Sequence, residues 1–177
     1  MLMTQLYEIY LENDETVFTV GSIVAETEEL YIVESLDETG RLDSFQLRPK
    51  TKVERLVSAS AYLELMEFNK SYNVENGSYN PLGLEVNYDD YSDLENAWYQ
   101  MRNSGDIYTI VTSTHEEVLV GSVKDIFEKD IVIAAIDFED FTQTEAPIDK
   151  NDIIAIDILS YENVLLQKFL NRSRKIE

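Results

Sequence analysis

The chain contains no cysteine and only one histidine among its 177 residues. Without cysteine there is no disulfide framework, no thiol nucleophile and no thiolate metal site. The lone histidine, His115, falls in a polar predicted turn with no second histidine to complete a metal site, so we interpret it as a surface residue. The sequence also lacks a phosphate-binding loop and a dinucleotide fingerprint. We therefore predict no catalytic residue, no metal and no cofactor.

Long apolar runs and positive charge are scarce as well. No segment reaches the roughly 18 apolar residues of a membrane span, and the first residues carry no basic segment typical of a secretory signal. We therefore expect a cytoplasmic protein. There are 14 Lys and Arg against 35 Asp and Glu, which leaves a net charge of −21. This charge disfavours direct binding to nucleic acid or to an anionic membrane and favours a protein partner, in the simplest case a basic one.

The chain does contain an internal repeat. Residues 20–60 align without a gap with residues 120–160, and apolar positions largely fall on apolar positions. This pattern indicates a tandem duplication. Because each half is small, the sequence also allows assembly into a homo-oligomer. Seven aligned positions are identical: Val20, Gly21, Ser22, Glu28, Asp37, Lys50 and Ser60 recur 100 residues later.

Each repeat reads as about five short strands followed by a helix. Alternating apolar residues predict the strands, and Ser60 and Ser160 are suitable N-caps for the helices. We predict a mainly β (α+β) fold of two tandem small barrels, each closed by a C-terminal helix. The predicted domains are residues 1–70, a linker at 71–104 with a helix opened by a capping box at 92–95, and residues 105–177. Residues 107–111 would match residues 7–11 as the first strand.

Such a unit resembles the SH3-like or Sm-like small barrels in strand count and glycine placement. Membership of the Sm-like group would imply rings and binding of uridine-rich RNA. The sequence departs from that group after the fourth strand, where 53–56 and 153–156 carry no basic-glycine motif. Its helices follow the barrels instead of preceding them, and its charge opposes RNA binding. We carry over the fold alone and none of the functional residues.

The linker is the predicted binding segment. It has no Lys or Arg between residues 71 and 101, and its aromatic residues are interspersed with acids. Carboxylates beside aromatic rings can bind a cationic partner through ion pairs and cation–π contacts, whereas the alternative role for these rings is to strap the barrels together. The candidate partner-binding residues are Tyr79, Tyr88, Asp89, Asp90, Tyr91, Asp93 and Trp98.

Three functions remain open from the sequence. The first is a non-enzymatic interaction or regulatory module that binds another protein through its acidic and aromatic surface. The second is an acidic mimic of nucleic acid that occupies the basic groove of a DNA- or RNA-binding protein. The third is a hydrolase or isomerase that uses the repeated carboxylates of Asp37 and Asp137. The turn at 37–43 could also hold Ca²⁺, but its acidic spacing differs between the repeats, which favours a hairpin turn.

Overall fold

The computed structural model describes residues 4–11, 17–113 and 118–173. The chain folds into two compact units, Met1–Val86 and Asn87–Glu177. The described residues form mainly β-strands, in antiparallel pairs, together with three α-helices, which confirms the predicted fold class at this level. No helix in this part of the chain has the length and apolar character needed to span a membrane.

The first unit is a five-stranded antiparallel sheet followed by a helix. Its sheet has the order β5-β1-β2-β3-β4. Ser60 caps the helix as predicted, because its Oγ accepts a hydrogen bond from the Leu63 N–H at 3.1 Å. The elements are β1 (Leu6–Leu11), β2 (Phe18–Glu26), β3 (Leu30–Leu36), β4 (Leu42–Pro49), β5 (Val53–Val57) and α1 (Ala61–Glu75).

The second unit begins with a helix and then follows the same plan. Its sheet has the order β10-β6-β7-β8-β9. The elements are α2 (Leu94–Ser104), β6 (Tyr108–Thr112), β7 (Leu119–Ile126), β8 (Asp130–Ile136), β9 (Gln143–Asp149), β10 (Ile153–Ser160) and α3 (Tyr161–Ser173). The N-cap of α2 is Asp93, which accepts from the Asn96 N–H at 2.7 Å, so the helix begins one residue later than the predicted capping box.

The two sheets share their strand register. The β2–β3 pair runs from Gly21↔Ser35 with an irregularity after Ile23, and the β7–β8 pair repeats this register exactly 100 residues later. The first strand of each unit does not follow the offset of 100 residues. In the first unit Tyr7 of β1 pairs with Gly21, whereas in the second unit Tyr108 of β6 pairs with Gly121. The predicted match of residue 107 with residue 7 is therefore one residue out of register.

Several of the identical positions have the same local role in both units. A Cβ on Gly21 would lie 2.7 Å from the Glu34 carbonyl oxygen, and one on Gly121 would press on the Ala134 carbonyl oxygen in the same way, so neither position has room for a side chain. Asp37 and Asp137 each accept a hydrogen bond from the N–H two residues later, at 2.8 and 2.7 Å. These aspartates form turns, as expected for an aspartate that follows a strand.

The helix that covers the sheet differs between the units. In the first unit Leu63 and Met66 of α1 are buried in the core with residues of β1, β2 and β3. In the second unit it is α2 that packs on β7 and buries Trp98 and Met101. Among the described side chains of α3, Asn163 alone is fully buried. We predicted that the C-terminal helix closes the second repeat. In the structure it is α2, and not the C-terminal helix α3, that supplies the fully buried apolar side chains.

Candidate interaction surface

Helix α1 is apolar on two opposite faces. Its inner residues, Leu63 and Met66, pack in a cluster with Leu6, Val20 and Leu36. At 100° per residue, Leu65, Phe68 and Tyr72 lie on the far side of the helix from this cluster. Their exposed fractions are 51%, 66% and 59%. We call these three residues the outer stripe.

The outer stripe is contiguous rather than scattered. Leu65, Phe68 and Tyr72 are spaced three and four residues apart, which places them one above another along the helix. The rings of Phe68 and Tyr72 are stacked, with centroids 6.5 Å apart and an interplanar angle of 26°. Single exposed apolar residues are normal on a protein surface, whereas a connected row of large ones is typical of a surface that another molecule covers.

The charges beside the outer stripe are acidic. Glu64 and Glu75 project from one side of it on the helical wheel, and both are exposed. Glu67 is also exposed. The only base of the helix is Lys70, whose Nζ lies 2.9 Å from the Glu34 carboxylate on β3. The accessible charge along the outer face of α1 is therefore negative.

The helix that carries the stripe is fastened to its sheet. The half-buried Lys70 and Glu34 form an ion pair, and the Tyr79 hydroxyl donates a hydrogen bond to the same carboxylate. Lys70 Nζ also lies 5.1 Å from the centroid of the Tyr79 ring. At the end of α1, Asn73 Nδ2 donates to the Thr39 carbonyl at 2.8 Å. These contacts hold the outer face in one orientation, which lowers the entropy cost of binding.

The predicted linker residues divide between the two units. Tyr79 belongs to the first unit, where it packs against the core and fastens α1. The other six belong to the second unit. Trp98 is only 1% exposed, so its ring packs inside the unit and is not presented to a partner. Asp93 is the N-cap of α2, and Asp89 is exposed on the 3₁₀ turn Tyr88–Tyr91.

Burial raises the pKa of two tyrosine hydroxyls near this segment, Tyr91 and Tyr108. The pKa of Tyr91 is raised, chiefly by burial and also by the nearby carboxylate of Asp90. Burial likewise raises the pKa of Tyr108, whose hydroxyl is within hydrogen-bond distance of Ser104 Oγ. Tyrosine is an uncharged phenol at neutral pH even at its ordinary pKa, so the acidic character of the segment comes from its carboxylates.

The enzymatic alternative rests on Asp37 and Asp137, and both carboxylates are engaged in turns. Asp37 Oδ1 accepts from the Thr39 N–H, the Thr39 hydroxyl and the Arg41 N–H at 2.8–3.0 Å. Within the described residues, no group of three or more His, Asp or Glu side chains is placed to hold a metal ion. His115 lies outside the described residues.

The outer stripe was missed from the sequence. Tyr62, Leu63, Leu65, Met66 and Phe68 all follow helical spacing in the sequence, but among these five only Leu63 and Met66 are buried. A signal was available, because Leu65, Phe68 and Tyr72 form a second row at helical spacing, opposite the first. An exposed helix needs one apolar face to fold, so a second face indicates a further contact.

Comparisons of the chain with protein-family models, with curated proteins and with solved structures find no match. The function is therefore argued from this surface.

Proposed function

We propose that the chain is a non-enzymatic interaction module that binds another protein through the outer stripe of α1. The observation that carries the proposal is the row of three large, exposed apolar side chains on a helix whose opposite face already fills the core. A partner can cover such a row without disturbing the packing of the fold. The row then provides the apolar centre that a specific interface requires.

The partner that fits this surface is an amphipathic segment with an apolar face bordered by Lys or Arg. The apolar side chains would pack on Leu65, Phe68 and Tyr72, and the basic ones would meet Glu64 and Glu75. The net charge of −21 supports a basic partner, because it speeds association with positive proteins. The same charge opposes self-association, since two copies would bring like charges together.

The linker residues Tyr88, Asp89, Asp90 and Tyr91 remain a second candidate contact with a basic partner. Asp89 is exposed, and Asp90 and both tyrosines are partly exposed. They lie in the second unit and are tested separately from the outer stripe.

We also infer that the two units are tandem copies of one small-barrel ancestor. The equal strand order, the shared β2–β3 and β7–β8 register and the equivalent serine caps of α1 and α3 support this inference. In this interpretation the copies have since diverged, because the exposed apolar row of the first unit lies on α1, the helix that fills its core, whereas in the second unit the exposed Leu165 and Phe169 lie on α3 and α2 buries the apolar side chains.

The test uses the tagged chain as bait in lysate, with matched variants. Phe68→Gln removes the centre of the stripe without changing charge, and Phe127→Gln is the control, because Phe127 is 57% exposed on the second unit. We expect at least one protein that is retained by the wild type and by Phe127→Gln but lost with Phe68→Gln. Its direct binding is then measured with purified proteins.

The other variants separate the remaining explanations. Neutralising Glu64 and Glu75 to Gln is expected to weaken binding and to flatten its salt dependence. A partner that is lost only on neutralising Asp89 and Asp90 would move the site to the linker. Capture of a DNA-binding protein by both the wild type and Phe68→Gln would favour the nucleic-acid mimic. A dimer of the wild type that Phe68→Gln abolishes would show that the partner is a second copy of this chain. Equal capture by Phe68→Gln and wild type would refute the proposal.

A further inference from the structure

The first unit contains a cavity of about 320 Å³ that is bounded by α1, by β2 and β4 and by the turn after β3. Its volume lies at the lower end of the range for small-ligand sites, about 300–1,000 Å³. Its wall combines three carboxylates, two aromatic rings, a carboxamide and a hydroxyl with apolar side chains, and none of the described residues that line it is basic. We call it the α1 cavity.

Gln46 provides a hydrogen-bond donor in the wall of the α1 cavity. The residue is 8% exposed, and its Oε1 accepts from Arg48 Nε and Nη2 at 2.9 and 2.6 Å. Because a guanidinium group only donates hydrogen bonds, this contact fixes the carbonyl end of the carboxamide toward Arg48 and turns the NH₂ end away from it. The NH₂ group has no acceptor among the described residues, and it is not sealed from the surface. A donor in such a nearly buried side chain calls for an acceptor from outside the chain.

Thr19 adds a second donor to the same wall. Its Oγ1 accepts from Arg48 Nη2 at 2.6 Å, which leaves the hydroxyl hydrogen to be donated elsewhere. The scaffold requires neither polar group, because the equivalent strands of the second unit carry Leu119 and Ala146 at these two positions, in the same register. The two donors are therefore a feature of the first unit, which favours a role in binding over a role in folding.

The carboxylates and rings of the α1 cavity suit a cation. Glu38 and Asp43 are exposed and Asp37 is half-buried, and all three line the cavity. The rings of Phe18 and Tyr62 meet edge to face, with centroids 5.7 Å apart and an interplanar angle of 75°. A cation is attracted both by carboxylates and by the faces of aromatic rings. A metal ion would use the carboxylates but neither the rings nor the two donors, so an organic cation accounts for more of the wall.

The wall therefore specifies two groups in one ligand, a hydrogen-bond acceptor and an organic cation. The Arg48 guanidinium contacts both donors, so the acceptor binds at that electropositive end and the cation binds beside the carboxylates. We infer that the α1 cavity binds a basic residue of a peptide chain. A main-chain carbonyl accepts from Gln46 Nε2 and from the Thr19 hydroxyl, and the Lys or Arg side chain of the peptide meets the carboxylates and the two rings.

The inference deepens the proposed function and rests on it only for the source of the peptide, a basic segment of the same partner. The α1 cavity and the outer stripe are separate surfaces, because none of the three residues of the stripe lines the cavity. Binding in the cavity can therefore be measured without the partner. Its failure would leave the proposal for the outer stripe in place, and loss of the outer stripe as an interface would not remove the cavity.

The test titrates three small molecules into the ¹⁵N-labelled wild-type chain. Nα-acetyl-lysine methylamide carries both groups, Nα-acetyl-norleucine methylamide lacks the ammonium group, and pentylamine lacks the carbonyls. The side-chain NH₂ signals of Gln46 are followed by NMR. We expect saturable shifts with the lysine probe and about tenfold weaker binding of the other two, because each leaves one end of the cavity without its complement. The same titration with Nα-acetyl-arginine methylamide shows which basic side chain is preferred.

Two variants and a matched control complete the design. Glu38→Gln removes an exposed carboxylate of the cavity and is expected to weaken binding of the lysine probe about threefold. Glu139→Gln removes the same charge from an exposed turn of the second unit and should leave the affinity unchanged. Gln46→Glu keeps an acceptor for Arg48 but loses the NH₂ donor, so the lysine probe should lose its advantage over pentylamine.

Three results would overturn the inference. The first is that the lysine probe does not shift the NH₂ signals of Gln46. The second is that the norleucine probe or pentylamine binds the wild type as tightly as the lysine probe does. The third is that Glu38→Gln and Glu139→Gln have the same affinity for the lysine probe, because binding would then reflect the net charge of the chain and not this cavity.

Discussion

Replacing Phe68 by alanine separates binding from folding. A phenylalanine side chain contributes about 200 Å² of surface. With 66% of Phe68 exposed, about 130 Å² is available for a partner to bury, worth about 3 kcal/mol at 25 cal/mol per Å². We therefore expect Phe68→Ala to weaken binding of the partner about a hundredfold. The measurement is isothermal titration calorimetry with the partner identified by the capture experiment.

The same substitution should lower stability much less than a substitution in the core. The buried third of the side chain contributes about 1–2 kcal/mol, and alanine returns about 0.5 kcal/mol through its higher helix propensity. The net loss of unfolding free energy is therefore about 1 kcal/mol. The matched control is Met66→Ala on the inner face, where the side chain is 1% exposed and the cost of the cavity is about 2–5 kcal/mol. Urea denaturation of both variants measures the difference.

Two results would refute this reasoning. If Phe68→Ala lost as much stability as Met66→Ala, the outer stripe would be part of a core and not an open surface, and this can be learned before any partner is known. If stability were kept but affinity were unchanged, the stripe would be open but would not be the interface.

Three further predictions concern the scaffold. Trp98→Ala should lower the free energy of unfolding by about 3–5 kcal/mol, because the ring is fully buried. A smaller loss, measured by urea denaturation, would mean that the ring is not part of a core. Gly21→Ala should lower the melting temperature, because the new Cβ would lie 2.7 Å from the Glu34 carbonyl oxygen; an unchanged melting temperature would contradict the close approach. Hydrogen bonds from the Thr142 hydroxyl and N–H lower the pKa of Asp140. The stabilisation from Asp140 is present above the pKa of this carboxyl in the unfolded chain and is lost as the pH falls through its pKa in the folded chain. Between pH 5 and 3 the wild type should therefore lose more stability than Asp140→Asn. Parallel pH profiles of the two proteins would contradict this.

The local chemistry of the sequence was sufficient to predict much of the secondary structure. The serine at position 60 predicted the start of α1, because a side-chain oxygen beside the first turn accepts one of its free N–H groups. Gly21 lies within a strand pattern, and only the structure shows why the position excludes a side chain, since a Cβ there would lie 2.7 Å from the Glu34 carbonyl oxygen of β3. The helix α2 begins one residue later than the capping box at 92–95 predicts, because Asp93 and not Ser92 accepts the hydrogen bond from the Asn96 N–H.

The candidate site was less predictable than the fold. The linker was selected because aromatic and acidic residues are concentrated there, yet Trp98 is buried and Tyr79 fastens α1. Composition reports which side chains are available but not which way they face. The exposed row on α1 was overlooked because its apolar residues are of the same types as those of the core.

What the sequence determined by itself was the succession of strands in each unit, the serine caps of α1 and α3 and the turn aspartates, all of which depend on residues close together in the chain, together with the net acidic charge. Only the tertiary structure decided which apolar residues are buried. Leu63 and Leu65 have the same side chain two positions apart, but one faces β1 and β2 and the other faces solvent. Likewise, α2 and not α3 buries apolar side chains on the second sheet. Burial depends on which surfaces meet after folding, and that is a property of the packed chain and not of any local segment.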